Sequence, residues 1–503
     1  MKRKILAMIL IGSLFLMMFA GCGNSSEKQT GSDRTTGSDK NTTAGAERSS
    51  GSAAETAQAE SGSDTQKETA TGRKAGLYQT DGSFIAWDDL GIDVEKDYNR
   101  DNYGSETGAP YKVLGVYADT GYEGELVFPN GITRIGNYAF TNCPSLTSAD
   151  LSNTQITSIG EYAFYGTPIT SIGLPDTLTG IGEFAFAYCS SLTSVDCSNT
   201  QITSIGEDAF YYCHSLTSIT FPDTLTEIGK EAFYDCKSLA SIDLSNTQLT
   251  SIGECAFAPG YDDETSLTSI CFPDTLTEIG KGAFRECKSL ANIDLSNTQL
   301  TSIGSSAFEE CTALTSIDLS NTQIAKIDLG TFRGCTALTS IYLPDTLTSI
   351  GDSAFSRCTA LTSIDLSNTQ LTKINNNAFA YCKSLASINL PDAITEIEGS
   401  AFEHCESLTS IDLSNMQITS INSSAFQKCT ALTSIYLPAT LTKIGSGAFE
   451  RCSSIANVTY AGTMEEWNAI DKYKASNTSL VTSDWNSFSS IETITCSDGV
   501  ITL

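Results

Sequence analysis

CTALTSIDLSNTQ occupies Cys311 to Gln323, and the same thirteen residues return at Cys358 to Gln370. Between them, Cys335 opens the near-copy CTALTSIYLPDT. Outward from these copies, a phenylalanine that nearly always follows alanine marks a period. It recurs fourteen times from Phe140 to Phe449, at spacings of 22 to 27 residues. Such a period belongs to repeat architectures, in which no unit buries its own apolar face and stacked units share one core. Within a unit, Ile364 and Leu366 flank a polar residue, an alternation that predicts a short half-buried strand. Ile303, Ala307, Cys311 and Leu314 are then separated by four, four and three residues. That spacing predicts one face of a helical turn, started by Gly304, Ser305 and Ser306. Each coil therefore reads as strand, turn, short helix and return.

Two coil types alternate. One carries LSNTQ and usually has 24 residues; the other carries LPDTL and usually has 23. Proline is tolerated there because it ends the strand ladder instead of interrupting it. The recurring Leu, Ile, IG, AF and Cys positions resemble the BspA-like leucine-rich repeats of bacterial surface proteins over residues 126–455. The resemblance implies a repeat solenoid of the leucine-rich repeat (α/β) class, with a parallel sheet on one face and short helical turns on the other. It also implies surface display and adhesion to host or microbial partners. A stacked sheet exposes its terminal edges, so a cap is expected at each end. The N-terminal cap is assigned to residues 75–125, with an Asp81-Gly82 turn and a segment containing Trp87. The C-terminal cap is assigned to residues 456–503. There, Thr463 three residues before Glu466 predicts a capping box and a helix through Trp467 and Ile470. Ser497, Asp498 and Gly499 predict a turn between two strands.

Residues 1–22 resemble a bacterial lipoprotein signal. Lys2, Arg3 and Lys4 precede an apolar run from Ile5 to Ala20, and Gly21-Cys22 follows, with Phe19 where that family usually has Leu. The run is shorter than the roughly 20 residues of a membrane span, which favours a signal peptide over an anchor helix. The resemblance implies lipidation of Cys22. Two acyl chains there would anchor firmly, whereas one binds only marginally. Residues 23–74 are Ser, Thr, Gly, Ala and alternating charges, too poor in apolar groups to fold, and are expected to form a linker. A flexible chain of this length spans roughly 40 Å on average and at most roughly 190 Å. Acidic residues outnumber basic ones by 59 to 29, for a net charge of −30. This field argues against nucleic acid as a partner, and leaves the lipid anchor as the membrane contact.

Subtracting signal, linker and coils leaves about fifty residues at each end, which the caps occupy. The sequence contains no phosphate-binding glycine loop, no His-Glu-x-x-His and no nucleophile elbow, so no enzyme, cofactor or metal is expected. His214 beside Cys213 and His404 beside Cys405 fall where the cysteine faces the core and its neighbour faces solvent. Twelve of the 17 cysteines share one register, three residues after the phenylalanine. A single file reads as a column of small buried plugs; cross-links or a metal are the alternatives. On the strands, the outward residue of the LSNTQ coils is aspartate, from Asp150 to Asp412. The alternation of coil types breaks once, bringing Asp294 and Asp318 onto consecutive coils, with Tyr342 and Asp365 following. These four residues form the candidate ligand site, a carboxylate file with one ring able to meet sugar hydroxyls or a basic peptide. The other reading is a solvated face that manages charge repulsion. Function is then expected to be adhesion or protein binding at the extracellular face of the membrane, toward a host or microbial surface protein or glycan. The alternative is a carbohydrate- or cell-wall-binding surface module.

Overall fold

Each coil contributes two short strands, and like strands of successive coils stack in parallel. The computed structural model describes residues 131–260, 265–472 and 493–502, preceded by 74, 76–79, 83–86, 92–96, 111–116 and 124–129. The signal, Cys22, nearly all of the linker, the Asp81-Gly82 turn and Trp87 lie outside the described residues. In the first ladder, Ser316–Asp318 pairs with Ser340–Tyr342, setting Ile317 against Ile341 and Asp318 against Tyr342. In the second, Glu278–Ile279 pairs with Ser302–Ile303. Both ladders turn their isoleucines inward; the second-ladder column is buried from Ile132 to Ile444, and in the first ladder Ile388 is partly buried.

The strands are as the alternation predicts, but the expected short helical turns are replaced by another structure. From Gly304 to Cys311 the chain makes successive tight turns, in which Ala307, Glu309 and Cys311 donate to carbonyls three residues back. The intervening amides of Ser306, Phe308 and Glu310 donate instead to Leu329, Thr331 and Arg333 of the next coil. Ser306 and Glu310 reach this geometry with φ of 56° and 59°. An α-helix would direct every amide along its own segment. Here half of them leave the coil and zip it to its neighbour. The only α-helix among the described residues is Met464–Ala469, where Thr463 and Glu466 form the predicted capping box and Trp467 is buried.

The phenylalanines make the core continuous. From Phe140 to Phe449, consecutive rings stack with centroids 5.1–5.7 Å apart and planes within 14°. Beside them runs the cysteine column. Its twelve members are free thiols, all buried. The Sγ of Cys311 donates to the Phe284 carbonyl at 3.1 Å, and Cys335 and Cys358 repeat the bond to Phe308 and Phe332. Thr167 takes the cysteine place in one coil and donates its hydroxyl to the Phe140 carbonyl at 2.7 Å. The column thus needs a small donor at the core's edge, and a thiol fits without adding a strongly solvated group. Burial pushes Cys189, Cys287 and Cys382 up to about 12, so these sulfurs stay protonated and unreactive. Iodoacetamide at about pH 8 should leave the column unmodified in the native protein and alkylate it fully after denaturation, as read by intact mass. Substantial native labelling would contradict a closed core.

The two coil types differ in how they close the turn after the first strand. In LSNTQ coils, the aspartate Oδ1 accepts from the serine two residues on, as at Asp365 and Ser367. The following threonine donates back to the leucine carbonyl, as Thr369 does to Leu366 at 2.7 Å. In LPDTL coils the threonine reaches across coils, as Thr346 does to the Ile324 carbonyl at 2.8 Å. At the ends, Gly76–Gln79 pairs antiparallel with Gly124–Val127, and Thr493–Cys496 with Gly499–Thr502.

Candidate binding surfaces

The four residues singled out on the strand face do not form one even file. Asp318 and Tyr342 are direct neighbours in adjacent strands, and Tyr342 is 59% exposed. Asp294 lies just past its strand, Asn292–Ile293, whose pairing with Ser316–Asp318 is limited to Asn292 and Ser316. Asp365 belongs to a separate ladder, opposite Asn389. One oxygen of each carboxylate is already committed to its turn. Asp294 accepts from the Ser296 amide at 3.0 Å and hydroxyl at 2.6 Å, and Asp318 from the Ser320 amide at 2.9 Å. The Ser367 amide bond holds Asp365 below the usual carboxylate range. The threonines beside this face are likewise engaged: the amide and hydroxyl of Thr217 both donate to the Thr193 carbonyl. Side chains that looked free in the sequence therefore build the coil first, and Tyr342 stands out as the projecting group.

A second surface lies where the tight turns leave the core. The residue two before each phenylalanine, and the residue two after it in every coil but that of Phe257, where Pro259 stands, has positive φ, a region that costs a side-chain-bearing residue roughly 1–2 kcal/mol. From the seventh coil onward the first of these columns holds Gly282, Ser306, Gly330, Ser353, Asn377, Ser400, Ser424 and Gly447, all small. The first three coils instead place Tyr138, Tyr162 and Phe184 there, at φ of 61°, 55° and 52°. Their rings stack at 5.0 and 4.7 Å. A neighbouring file continues with Tyr188 on Tyr212 at 5.2 Å and Tyr211 on Tyr234 at 5.2 Å. The buried phenylalanine column closes the core without these rings, so core packing does not account for them.

Carboxylates border the rings. Asp208 continues the first column after Phe184 and is only 5% exposed. Burial pushes its carboxyl up to about 7, with the charges of Glu231 and Glu207 adding to the effect and Lys230 opposing it. Lys230 is itself tied to Glu207 at 2.8 Å and Glu231 at 3.6 Å. Asp235, fully enclosed, accepts from the Gly260 amide and meets His214 Nε2, both at 2.8 Å. His404 stacks on Tyr381 and contacts Glu406 and Lys428. Both histidines are thus partly buried at the turn surface, neither fully in solvent nor beside a reactive thiol. Among the described residues no group of three His, Cys, Asp or Glu side chains could hold a metal ion.

A model of the BspA type leucine rich repeat region (6 copies) matches residues 116–203, 193–262, 261–370 and 358–480. The chain belongs to this family. BspA-type repeat proteins are typically found at cell surfaces and generally serve protein binding or adhesion, and the fold is typically non-enzymatic. Among solved structures, a leucine-rich repeat protein from Bacteroides ovatus is 24% identical at a TM-score of 0.52, covering 76% of this chain and 99% of its own. A leucine-rich cell surface protein from Faecalibacterium prausnitzii is 25% identical at a TM-score of 0.41, covering 79% of this chain and 100% of its own. The first of these likenesses supports the fold. No curated protein matches. Among the described residues, no helix of this BspA-type chain is long and apolar enough to cross a membrane.

The corner strip was missed by reading along the chain, because a tyrosine in YAF or YYC looks like ordinary surface. Reading down the columns supplies the signal: the place that holds Gly or Ser in later coils holds a large ring in early ones.

Proposed function

We infer that this BspA-type protein is a lipid-anchored adhesion protein, held at Cys22 on the outer face of the membrane and displayed on the linker of residues 23–74. Its proposed partner is a protein or glycan on a host or microbial surface, met by the strand face around Asp294, Asp318, Tyr342 and Asp365. The observation that carries the reading is the exposed Tyr342 ring beside the Asp318 carboxylate, on a ladder whose aspartates each commit one oxygen to the turn that follows. An exposed ring next to an acceptor is the composition of a binding hot spot. The fourteen coils at ~4.8 Å give the face a length of roughly 65 Å, ample for a protein-sized contact.

One experiment compares cells displaying the wild type, Cys22→Ala, the pair Asp318→Asn with Tyr342→Ala, and Asp150→Asn. The wild type should incorporate a fatty-acid analogue and adhere to an array of purified surface proteins and polysaccharides. Cys22→Ala should lose the label and shed from the membrane. The paired variant should stay anchored and lose adhesion by about tenfold, with Asp150→Asn unchanged. Unlabelled wild-type protein would remove the anchor, and equal losses in all strand variants would move recognition off this site.

A further inference from the structure

The strip formed by Tyr138, Tyr162, Phe184, Tyr188, Tyr211 and Tyr212 is a second surface, distinct from the strand face, with Tyr138 and Tyr188 exposed and the other four rings half-buried. Two of its features need a common cause. Large rings are retained at left-handed positions where later coils use glycine, serine or asparagine. The left-handed φ is common to every coil and belongs to the fold; what is particular to the first coils is the size of the side chains placed there. The same five turn segments, between 136 and 237, also carry six carboxylates (Glu161, Glu183, Glu207, Asp208, Glu231 and Asp235) against the two lysines 230 and 237. Asp208 makes no ion pair among the described residues, since Lys230 is committed to its two glutamates. Glu161 and Glu183 are exposed beside the stacked rings.

We propose that this strip docks an arginine- or lysine-rich polypeptide segment in extended conformation, its cations set between the rings and the carboxylates. Charge complementarity selects the partner. A guanidinium stacks on aromatic faces and also forks onto carboxylates, so one side chain uses both halves of the strip. A neutral glycan would use the rings and leave the acidic field unanswered. Five coils at ~4.8 Å span roughly 20 Å, the reach of about six extended residues. Tyr188 offers an open approach, because it is 42% exposed and the matching position of the preceding coil is Gly166. The phenol hydroxyls remain donors and acceptors, since burial raises Tyr162 and Tyr188 above the ordinary phenol range.

The test uses the full mature chain and a labelled octapeptide alternating arginine and glycine, read by fluorescence anisotropy beside its citrulline counterpart. A chain of net charge −30 attracts any polycation, so the deciding variant keeps the charge. Tyr138→Ser, Tyr162→Ser and Phe184→Ser together install the residue that later coils carry at the same backbone geometry, so folding should be preserved. The triple variant should bind the arginine peptide at least about tenfold more weakly, and the citrulline peptide should bind the wild type about tenfold more weakly than the arginine peptide. Glu183→Gln, an exposed single change, should weaken binding about twofold to fivefold and flatten its salt dependence. Undiminished binding by the triple variant overturns the proposal, as does equal binding of the citrulline peptide or a preference for a soluble glucan. Tyr342→Ala should leave peptide binding intact. If it alone abolishes binding, the peptide occupies the strand face, and this proposal falls while the adhesion reading stands.

Discussion

Phe308→Ala is expected to cost about 3–5 kcal/mol, the range for deleting a fully buried aromatic ring. Phe308 has no exposed surface and stacks between Phe284 at 5.4 Å and Phe332 at 5.7 Å. Its backbone is fixed on both sides, donating to the Thr331 carbonyl and accepting from Cys311 and from the Cys335 thiol. The turns therefore cannot collapse into the cavity without breaking the zip between coils. Stability in a stacked array is a sum of coil terms and neighbour interfaces, and this deletion removes two interfaces at once. Its signature should be a split denaturation curve, with the coils before and after Phe308 melting separately. Amides of Phe284 and Phe332 should exchange first by hydrogen–deuterium mass spectrometry. A single transition shifted by less than about 1 kcal/mol would show that the ring stack does not couple the coils.

Much of this fold is legible because its order is local and repeated. The alternation around Ile317 and Ile341 names the strands, the AF period names the coil, and Thr463 with Glu466 names the helix Met464–Ala469. The turn segment was not legible. Spacings of four, four and three from Ile303 to Leu314 suit both a helix and a chain of left-handed turns. The choice between them is made by amides such as that of Phe308, which find carbonyls in the next coil. That is a contact between residues more than twenty apart, invisible to a window of one turn. The same limit affected the strand-face carboxylates. Sequence spacing makes Asp294 and Asp318 neighbours, but the serines two residues on capture an oxygen of each. The corner rings escaped notice for the opposite reason. Nothing about Tyr138 is unusual in its own coil, and its significance lies in the φ it shares with Gly282 and Ser306.

Asp208→Asn should stabilise the protein at about pH 8 and leave it unchanged near pH 4. The carboxyl is 5% exposed, and burial, Glu231 and Glu207 raise it from the ordinary 3.8 to about 7. The groups that face it are Glu183, Glu207, Glu231 and Lys230, with Tyr162 and Tyr188 beside them. Below the unfolded value both states hold the proton, and the carboxyl exacts no electrostatic penalty. Between about 4 and 7 the folded state binds a proton that the unfolded chain has released, so stability falls as pH rises. Above about 7 the charge is forced onto the buried site and the full penalty, at most about 4 kcal/mol, is present. Asparagine is neutral at every pH and tolerates the φ of 54° found here, so the substitution removes the penalty without new backbone strain. Paired denaturation curves should therefore diverge as pH rises from about 4 to about 7, then run parallel with the variant the more stable. Curves that coincide throughout would mean that Asp208 ionises in the fold as easily as in water. The gain should come with a loss. If the corner strip receives a cationic segment, the charge that destabilises the free protein is the one a guanidinium neutralises. The more stable variant should then be the weaker binder, which is the exchange expected of a site kept under strain for a ligand.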